Sequence, residues 1–287
     1  MSTSVIIATS GRADTVSRLI PLLFTQSVPL HEVIISCVRD DDVGSLPREL
    51  PVKIVKGQPG LTRQRNEGLR NVSAQSEIAV FFDDDFIPDS RWVETTERYF
   101  ADHPTVVGLT GTVIADGING PGLSFEDAVR LLAVDSASPA MPDIYGFSPY
   151  GCNMAFRRDA LKDLWFDERL VLYGWQEDRD FGARVGRRGD IVKIGGARGV
   201  HLGIKAGRVR GIRLGYSQII NPFYMRKKGT MSSMQLVRHV GGNLAANIVR
   251  SVRPEPYVDR LGRLRGNAIG LFDLLKGEMN PERAAGL

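Results

Sequence analysis

An α/β protein with a mostly parallel sheet is what this chain predicts, and three observations carry that reading. Short apolar runs of strand length alternate with segments whose apolar residues recur at helical spacing. One run, Ile78-Ala79-Val80-Phe81-Phe82, shows no polar alternation, as expected of a strand buried on both faces. It stops abruptly in Asp83-Asp84-Asp85, and open α/β sheets bind ligands at the carboxyl ends of their strands.

The elements follow in order. Val5-Ile6-Ile7-Ala8-Thr9 reads as a first strand. A helix over 15–25 follows, with Asp14 as N-cap and Pro21 inside it. Glu32 to Val38 and Val52 to Val55 are strands, separated by a polar loop that contains Asp40-Asp41-Asp42. Gly57 to Gly60 has turn chemistry, and Leu61 to Val72 is helical. After the central strand come a helix from Ser90 to Phe100 and a strand from Val106 to Val113. Residues 115–149 are rich in Gly, Pro, Ser and Asp and read as a long functional loop with one short helix at 125–133. Gly151 to Phe156 is a strand, and Arg157-Arg158-Asp159 opens a helix. Tyr173-Gly174-Trp175-Gln176-Glu177-Asp178 leads into a helix over 179–188, and Ile191 to Ile194 is a strand with His201 beyond it. The tail has three helix-like pieces: Gly211 to Lys228, aromatic and basic at its end, then two amphipathic helices, 233–252 and 259–275, broken by Pro254-Glu255-Pro256.

A length of 287 residues suits one large domain, or a domain with an appendage. Charge divides the chain. Residues 1–204 carry 22 Lys+Arg against 28 Asp+Glu, a net of −6, whereas residues 205–287 carry 15 against 5, a net of +10. The expected organisation is therefore a body over 1–204 and a basic helical extension over 205–287. An extension of that charge faces something anionic or packs as a lid with its arginines solvated. No window approaches the ~20 apolar residues that span a bilayer, and Met1-Ser2-Thr3-Ser4 runs into the first strand without a secretory leader. Cys37 and Cys152 lack metal spacing and read as small buried residues in a reducing compartment.

Four clusters call for chemistry. Three adjacent carboxylates repel one another, so a cation belongs among them, and Mg²⁺ favours one or two carboxylates plus phosphate oxygens. Strand alternation lets Asp83 and Asp85 share a face while Asp84 points elsewhere. Arg63, Arg65 and Asn66 on the first turns of a helix suit an anion. Glu177-Asp178 fits the helix dipole alone, but a glycine and an aromatic stand before it, as in a wall for a flat sugar ring. His201, after a glycine-rich stretch, is either structural or a third metal ligand. A held metal, an arginine-lined phosphate site and a separate carboxylate together suit departure of a diphosphate, with a general base on an attacking hydroxyl.

In this ordered set the chain resembles the family 2 glycosyltransferases of GT-A fold. Val5 to Arg12 resembles the family's first strand and donor loop, and Gly60 with Gln64-Arg65-Asn66-Glu67-Gly68 its "G…ARNxG" helix. Phe81 to Asp85 resembles the DxD motif, Gly151 to Arg158 the "GxNMAFRR" segment, and Glu177-Asp178 with Asp180, Phe181 and Arg184 the "EDxDLxxR" motif. The resemblance implies an inverting, metal-dependent sugar transfer with Asp178 as base beside Glu177. It implies Mg²⁺ or Mn²⁺ on Asp83 and Asp85, with His201 as a further candidate ligand and Asp84 on the ribose or the metal. Thr9, Gly11, Arg12, Arg65, Asp83, Asp84 and Asn153 are then donor-binding candidates, and Trp175 and Arg158 acceptor-binding ones. The expected partners are a nucleotide-diphosphate sugar, UDP-sugar first, and a saccharide or lipid-linked acceptor. Cell-surface polysaccharide or glycolipid synthesis is the implied setting, and the implied location is cytoplasmic, peripheral on an anionic membrane surface. The family's acidic pair after the second strand, which reads the nucleotide's base, is replaced here by Ser36-Cys37-Val38-Arg39, which leaves the identity of that nucleobase open. A sugar-phosphate nucleotidyltransferase would need a richer Gly/Arg/Lys loop than Thr9-Ser10-Gly11-Arg12. A nucleic-acid binder would need more aromatics among the basic residues of the tail, so no nucleic-acid partner is expected.

Overall fold

The structure, a computed structural model, describes residues 1–47, 49–136, 138–205 and 210–287. Residues 48 and 137, in the two predicted loops, and 206–209, at the start of the predicted extension, lie outside the described residues. Two compact units account for the rest: one of Met1–Pro59, Arg63–Trp165 and 184–205, the other of Gly60–Thr62, Phe166–Ala183 and 210–287.

The first unit holds a mixed sheet. Its elements run β1 (Thr3–Ala8), α1 (Ala13–Leu23), β2 (Glu32–Cys37), β3 (Val52–Lys56), α2 (Leu61–Arg70), β4 (Ile78–Asp83) and β5 (Phe86–Pro88). Then come α3 (Trp92–Asp102), β6 (Val106–Asp116), α4 (Phe125–Asp135), β7 (Ile144–Tyr145) and β8 (Asn153–Arg157). The chain continues with α5 (Glu177–Val185) and β9 (Asp190–His201). The strand order is β3-β2-β1-β4-β8-β6-β9-β5, with β7 on β9. β1 to β4 pair in parallel, as the sequence predicts, whereas β8, β5 and β7 run antiparallel to their neighbours.

Burial explains the continuous apolar runs. Val5, Ile7, Val33, Ile35, Val80 and Phe82 join one cluster with Val16, Leu19, Ile20 and Leu23 of α1 and Trp92 of α3. The alternate residues Ile6, Ile34 and Phe81 are buried as well, on the other face. There Ile6 lies so close to Gly68 of α2 that any side chain at 68 would collide with it.

Three elements differ from the sequence reading. α1 begins at Ala13, so Asp14 sits in the first turn and caps nothing. Arg158 opens only a short 3₁₀ turn, Asp159–Leu161, before the chain becomes irregular. β6 and β9 are longer than expected. β9 continues through Gly195, Gly196 and Gly199, with its register against β6 shifted between Lys193 and Arg198, and bare backbone is what its neighbours admit: a Cβ at 199 would strike the Phe86 ring, and one at 195 the Met141 backbone. His201 is therefore the last residue of this glycine-rich strand.

The second unit is helical. It contains most of α5, then α6 (Gly211–Lys228), α7 (Ser233–Ser251) and α8 (Arg260–Leu275). The three helix-like segments read from the sequence of the tail are all present.

Candidate active site

Four strand ends in the first unit converge on one spot. β4 ends in Asp83, with Asp84 and Asp85 in the turn beyond it, and β1 delivers Thr9. β6 ends at Asp116 and β9 at His201, which are paired across the sheet, and Phe86 of β5 pairs with His201 from the other side.

Each carboxylate has its own partners. Asp83 accepts from buried Arg65 at 2.8 Å, and Arg65 also donates to the Gly151 carbonyl at 2.7 Å. Asp84 accepts from the Thr9 hydroxyl and from Arg12, each at 2.7 Å. Asp85 lies 3.2 Å from Arg12 and 3.3 Å from His201 Nε2, and accepts from the Ile204 N–H at 2.9 Å. The repulsion among three anions is thus offset by two guanidiniums and an imidazole. Side-chain alternation survives the end of the strand: Asp84 turns to Thr9, while Asp83, Asp85 and His201 bring their ligand atoms within 4.8 Å of one another.

The protonation states follow from these contacts. Burial, reinforced by its acidic neighbours and opposed by Arg12 and Thr9, pushes Asp84 up to about 6. Burial would raise Asp85 too, but bonds from His201, the Arg12 charge and the Ile204 N–H outweigh it and hold Asp85 at about 2. For His201 burial works against the charge, yet Asp116 and Asp85 lift it to about 10. Arg12 is likewise held charged by Asp84 and Asp85 against the cost of burial.

The donor set suits a divalent ion. Two carboxylate oxygens and an imidazole nitrogen converge, and the far nitrogen of the imidazole, Nδ1, is 2.9 Å from Asp116 Oδ1. That carboxylate fixes the ring and presents Nε2 outward, as outer partners do for metal-bound histidines. Tyr150 donates to the other oxygen of Asp116 at 2.8 Å. Neither Asp116 nor Tyr150 emerges from the sequence reading. The signal was there for Asp116: Val113-Ile114-Ala115 prolongs the apolar run, and an acid ends it, as in β4.

The remaining candidates have definite places. Gly11 (φ +68°) donates its N–H to Asp42 Oδ1 at 2.7 Å, and the same carboxylate's Oδ2 accepts from the N–H groups of Val38 and Arg39. Asp42, fully buried, pins the loop after β1 to the loop after β2, so the last residue of the acidic triplet in the polar loop is structural. Gln64 reinforces the same join by donating to the carbonyls of Thr9 and Ser36. Asn153 pairs with Phe82 one residue before the acids, and its Oδ1 accepts from Thr110 at 2.7 Å. Its Nδ2 is buried and has no hydrogen-bond partner among the described residues. Arg158 lies at the opposite end of β4 from the acids. Its N–H bonds to the Glu77 carbonyl, at the start of β4, because β8 runs antiparallel and carries its far end away from Asp83. The length of β4, roughly 17 Å at ~3.3 Å per residue, separates Arg158 from the acids. Cys37 and Cys152 are free and buried, as expected.

Glu177, Asp178 and Trp175 belong to the second unit. The turn before α5 is strained: Leu172 (φ +61°) and Gln176 (φ +69°) take left-handed conformations without being glycine, and Gly174 lies between them. The turn delivers Glu177 buried and Asp178 half-buried at the first positions of α5, and Asp178 Oδ1 accepts from the Arg179 N–H at 2.8 Å. Asn221 of α6 donates to the Trp175 carbonyl at 3.0 Å, and the indole Nε1 is buried with no hydrogen-bond partner among the described residues. Asp180 anchors the helix by accepting from Lys228 and Thr230, each at 2.7 Å.

The sequence profile of the family described as "Glycosyl transferase family 2" matches residues 4–165. No curated protein matches the chain. Among solved structures, residues 1–349 of S. aureus TarS align with a TM-score of 0.60 at 15% identity, over 100% of this chain and 83% of that one. The mannosyltransferase PcManGT from Pyrobaculum calidifontis, in complex with GDP-Man and Mn²⁺, aligns at 0.56 and 16% identity, over 99% and 85%. GalNAc-T7 with UDP, GalNAc and Mn²⁺ aligns at 0.56 and 13%, over 98% and 56%. At such identities these likenesses speak to the fold, which is GT-A.

Proposed function

The chain belongs to glycosyl transferase family 2 and is a glycosyltransferase, and from that premise we propose a metal-dependent, inverting transfer of a sugar from a nucleotide-diphosphate donor to a hydroxyl acceptor. The observation that carries this reading is the convergence of Asp83, Asp85 and His201 at the strand ends, with Asp116 behind the histidine.

Asp83, Asp85 and the Nε2 of His201 would hold the cation. A bound divalent ion supplies Lewis-acid charge to the leaving diphosphate. The imidazole in the donor set favours Mn²⁺ over Mg²⁺, whose preference is for oxygen alone. Binding requires His201 to give up a proton, and Asp116 keeps the remaining one on Nδ1. Arg65 serves the donor through Asp83, which it neutralises and orients. Arg12 does the same for Asp84 and Asp85, and Asp84 turns toward Thr9 and Arg12, the side assigned to the nucleotide. Asn153 brings a free amide N–H to the donor side.

Asp178 is assigned as general base. It takes the proton of the acceptor hydroxyl as that oxygen bonds to the anomeric carbon, while the bond from that carbon to the diphosphate breaks and configuration inverts. Its support is the position at the head of α5, which matches the family motif and follows a strained turn. Trp175 offers a ring face for the acceptor. UDP-sugars are the first donors to try, since TarS has been crystallised with UDP-GlcNAc, and GDP-mannose follows from PcManGT. The acceptor is a saccharide or a lipid-linked saccharide.

A panel of nucleotide sugars, scored by thermal shift with Mn²⁺ and with chelator, tests the reading. One donor should raise the Tm only with metal, and turnover should release nucleoside diphosphate. Release of pyrophosphate would identify a nucleotidyltransferase instead. No metal-dependent shift with any donor would defeat the proposal.

A further inference from the structure

α6 and α8 meet partly through apolar residues, Tyr216 and Ile220 belonging to one cluster with Ile269 and Leu274. Beside that cluster α6, α7 and α8 share a polar seam: Asn247 donates to Gln218 and to Asn267, each at 2.9 Å, and Asn267 donates to the Gly215 carbonyl at 2.7 Å. Buried Arg260 donates to Asn247 Oδ1 at 3.0 Å, and Asp273 accepts from Tyr216 at 2.8 Å. Close approach completes the seam. Gly262, Gly266 and Gly270 recur every fourth residue on α8, and a Cβ at 266 would run into the Ile212 carbonyl of α6. Small residues at this spacing and hydrogen-bonded amides are how helices pack in lipid, where apolar burial between helices gains nothing.

The outer faces are correspondingly apolar. On α7 and just beyond it, Met234, Val237, Ile248 and Val252 fall at the three- and four-residue steps of one helical stripe, and Val252 is 81% exposed. On α8, Leu261, Leu271, Phe272 and Leu275 do the same, with Leu275 87% exposed. The exposed charge around these stripes is mostly basic, with Asp259 and Glu278 the exposed carboxylates at the two ends of α8. Arg238, Arg250, Arg253, Arg265 and Lys276 are exposed, whereas α7 contains no carboxylate and the one in α8, Asp273, is buried. No helix among the described residues is long and apolar enough to cross a membrane.

We propose that α7 and α8 dock on an anionic phospholipid surface, with the apolar stripes entering the headgroup–acyl boundary and the arginines and Lys276 on the phosphates. Amphipathic helices with basic rims bind in this way. Charge decides among occupants. A second copy meeting this face symmetrically would set two net-positive faces against one another, whereas an anionic leaflet complements their excess of Arg and Lys. The proposal goes beyond the transferase reading above and does not depend on the transfer chemistry.

The test is co-sedimentation of the full chain with vesicles rich in phosphatidylglycerol and with vesicles of phosphatidylcholine alone. Binding should be confined to the anionic vesicles and weaken with salt. It should fall about tenfold or more in Val252→Asp/Leu275→Asp, and similarly in Arg253→Glu/Lys276→Glu. All four positions are exposed, so both variants should keep the wild-type Tm and the metal-dependent donor shift, which separates this test from that of the transferase reading. Absence of binding, or binding that survives either double variant, overturns the proposal. So does a concentration-dependent dimer that Val252→Asp/Leu275→Asp dissolves in the absence of vesicle binding, which would make the occupant a second copy.

Discussion

The strand-end cluster and the helical unit solve the problem of buried polarity in opposite ways. In the first, an apolar sheet core ends in a compact group of charges, and each buried carboxylate has a cationic partner. In the second, a small apolar cluster shares the inside with a hydrogen-bonded seam of amides, and further apolar residues lie exposed on the outer faces. Charges gathered beyond a finished core await a cation or a ligand, whereas apolar residues left outside a satisfied polar seam await an apolar phase.

The two regions were unequally legible in the sequence. The apolar run that ends in three acids gave β4, its burial and its acidic end, because a strand buried on both faces leaves few alternatives. Periodicity placed α7 and α8 to within a residue or two and identified their apolar faces. It could not say which face is buried, since a hydrophobic stripe reads the same whether it meets a protein core or a lipid surface. The glycines at 262, 266 and 270 and the amides at 247 and 267 were the missing signal. In the site, His201 drew attention by its residue type, but Asp116 stayed hidden because the Asp116–His201 contact spans 85 residues. The distance of Arg158 from the acids was not legible because a motif does not state the direction of its strand.

The largest expected effect separates chemistry from binding. Asp178→Asn should lower kcat by about 10²–10⁴, the usual worth of a general base, and leave the donor-induced thermal shift nearly intact. Loss of that shift would move Asp178 from the reaction to the binding of the donor. Next, Asp116→Asn should weaken Mn²⁺ binding by about 10–100-fold in calorimetric titration, as loss of an outer partner does. Unchanged affinity would mean that the carboxylate holds the histidine for structure alone.

Two stability measurements sharpen the contrast. Asn267→Leu strips partners from Asn247 and from the Gly215 carbonyl, and should cost about 1–3 kcal/mol in denaturant unfolding despite the added apolar surface. A stabilised variant would show that the polar seam contributes nothing. Asp42→Ala orphans the N–H groups of Gly11, Val38 and Arg39 and should cost about 1–3 kcal/mol at neutral pH. Burial raises the Asp42 carboxyl, but those N–H groups more than offset it and hold it below its ordinary 3.8. A depressed carboxylate contributes stability that is fully present above the unfolded value and is lost as pH falls through the folded one. The gap between wild type and variant should therefore narrow below about pH 3.8, and a gap that widens there would contradict the assignment. The smallest effect belongs to the outer face: Val237→Ser should change stability by less than about 0.5 kcal/mol.

The most direct test of the metal assignment is calorimetric titration of UDP, with GDP in parallel, into the protein with Mn²⁺ present and with Mn²⁺ chelated, for wild type, Asp85→Ala and His201→Ala. The account predicts nucleotide binding by the wild type only with Mn²⁺, and its loss in both variants at unchanged fold. Equal affinity with and without the ion, or in all three proteins, would contradict it.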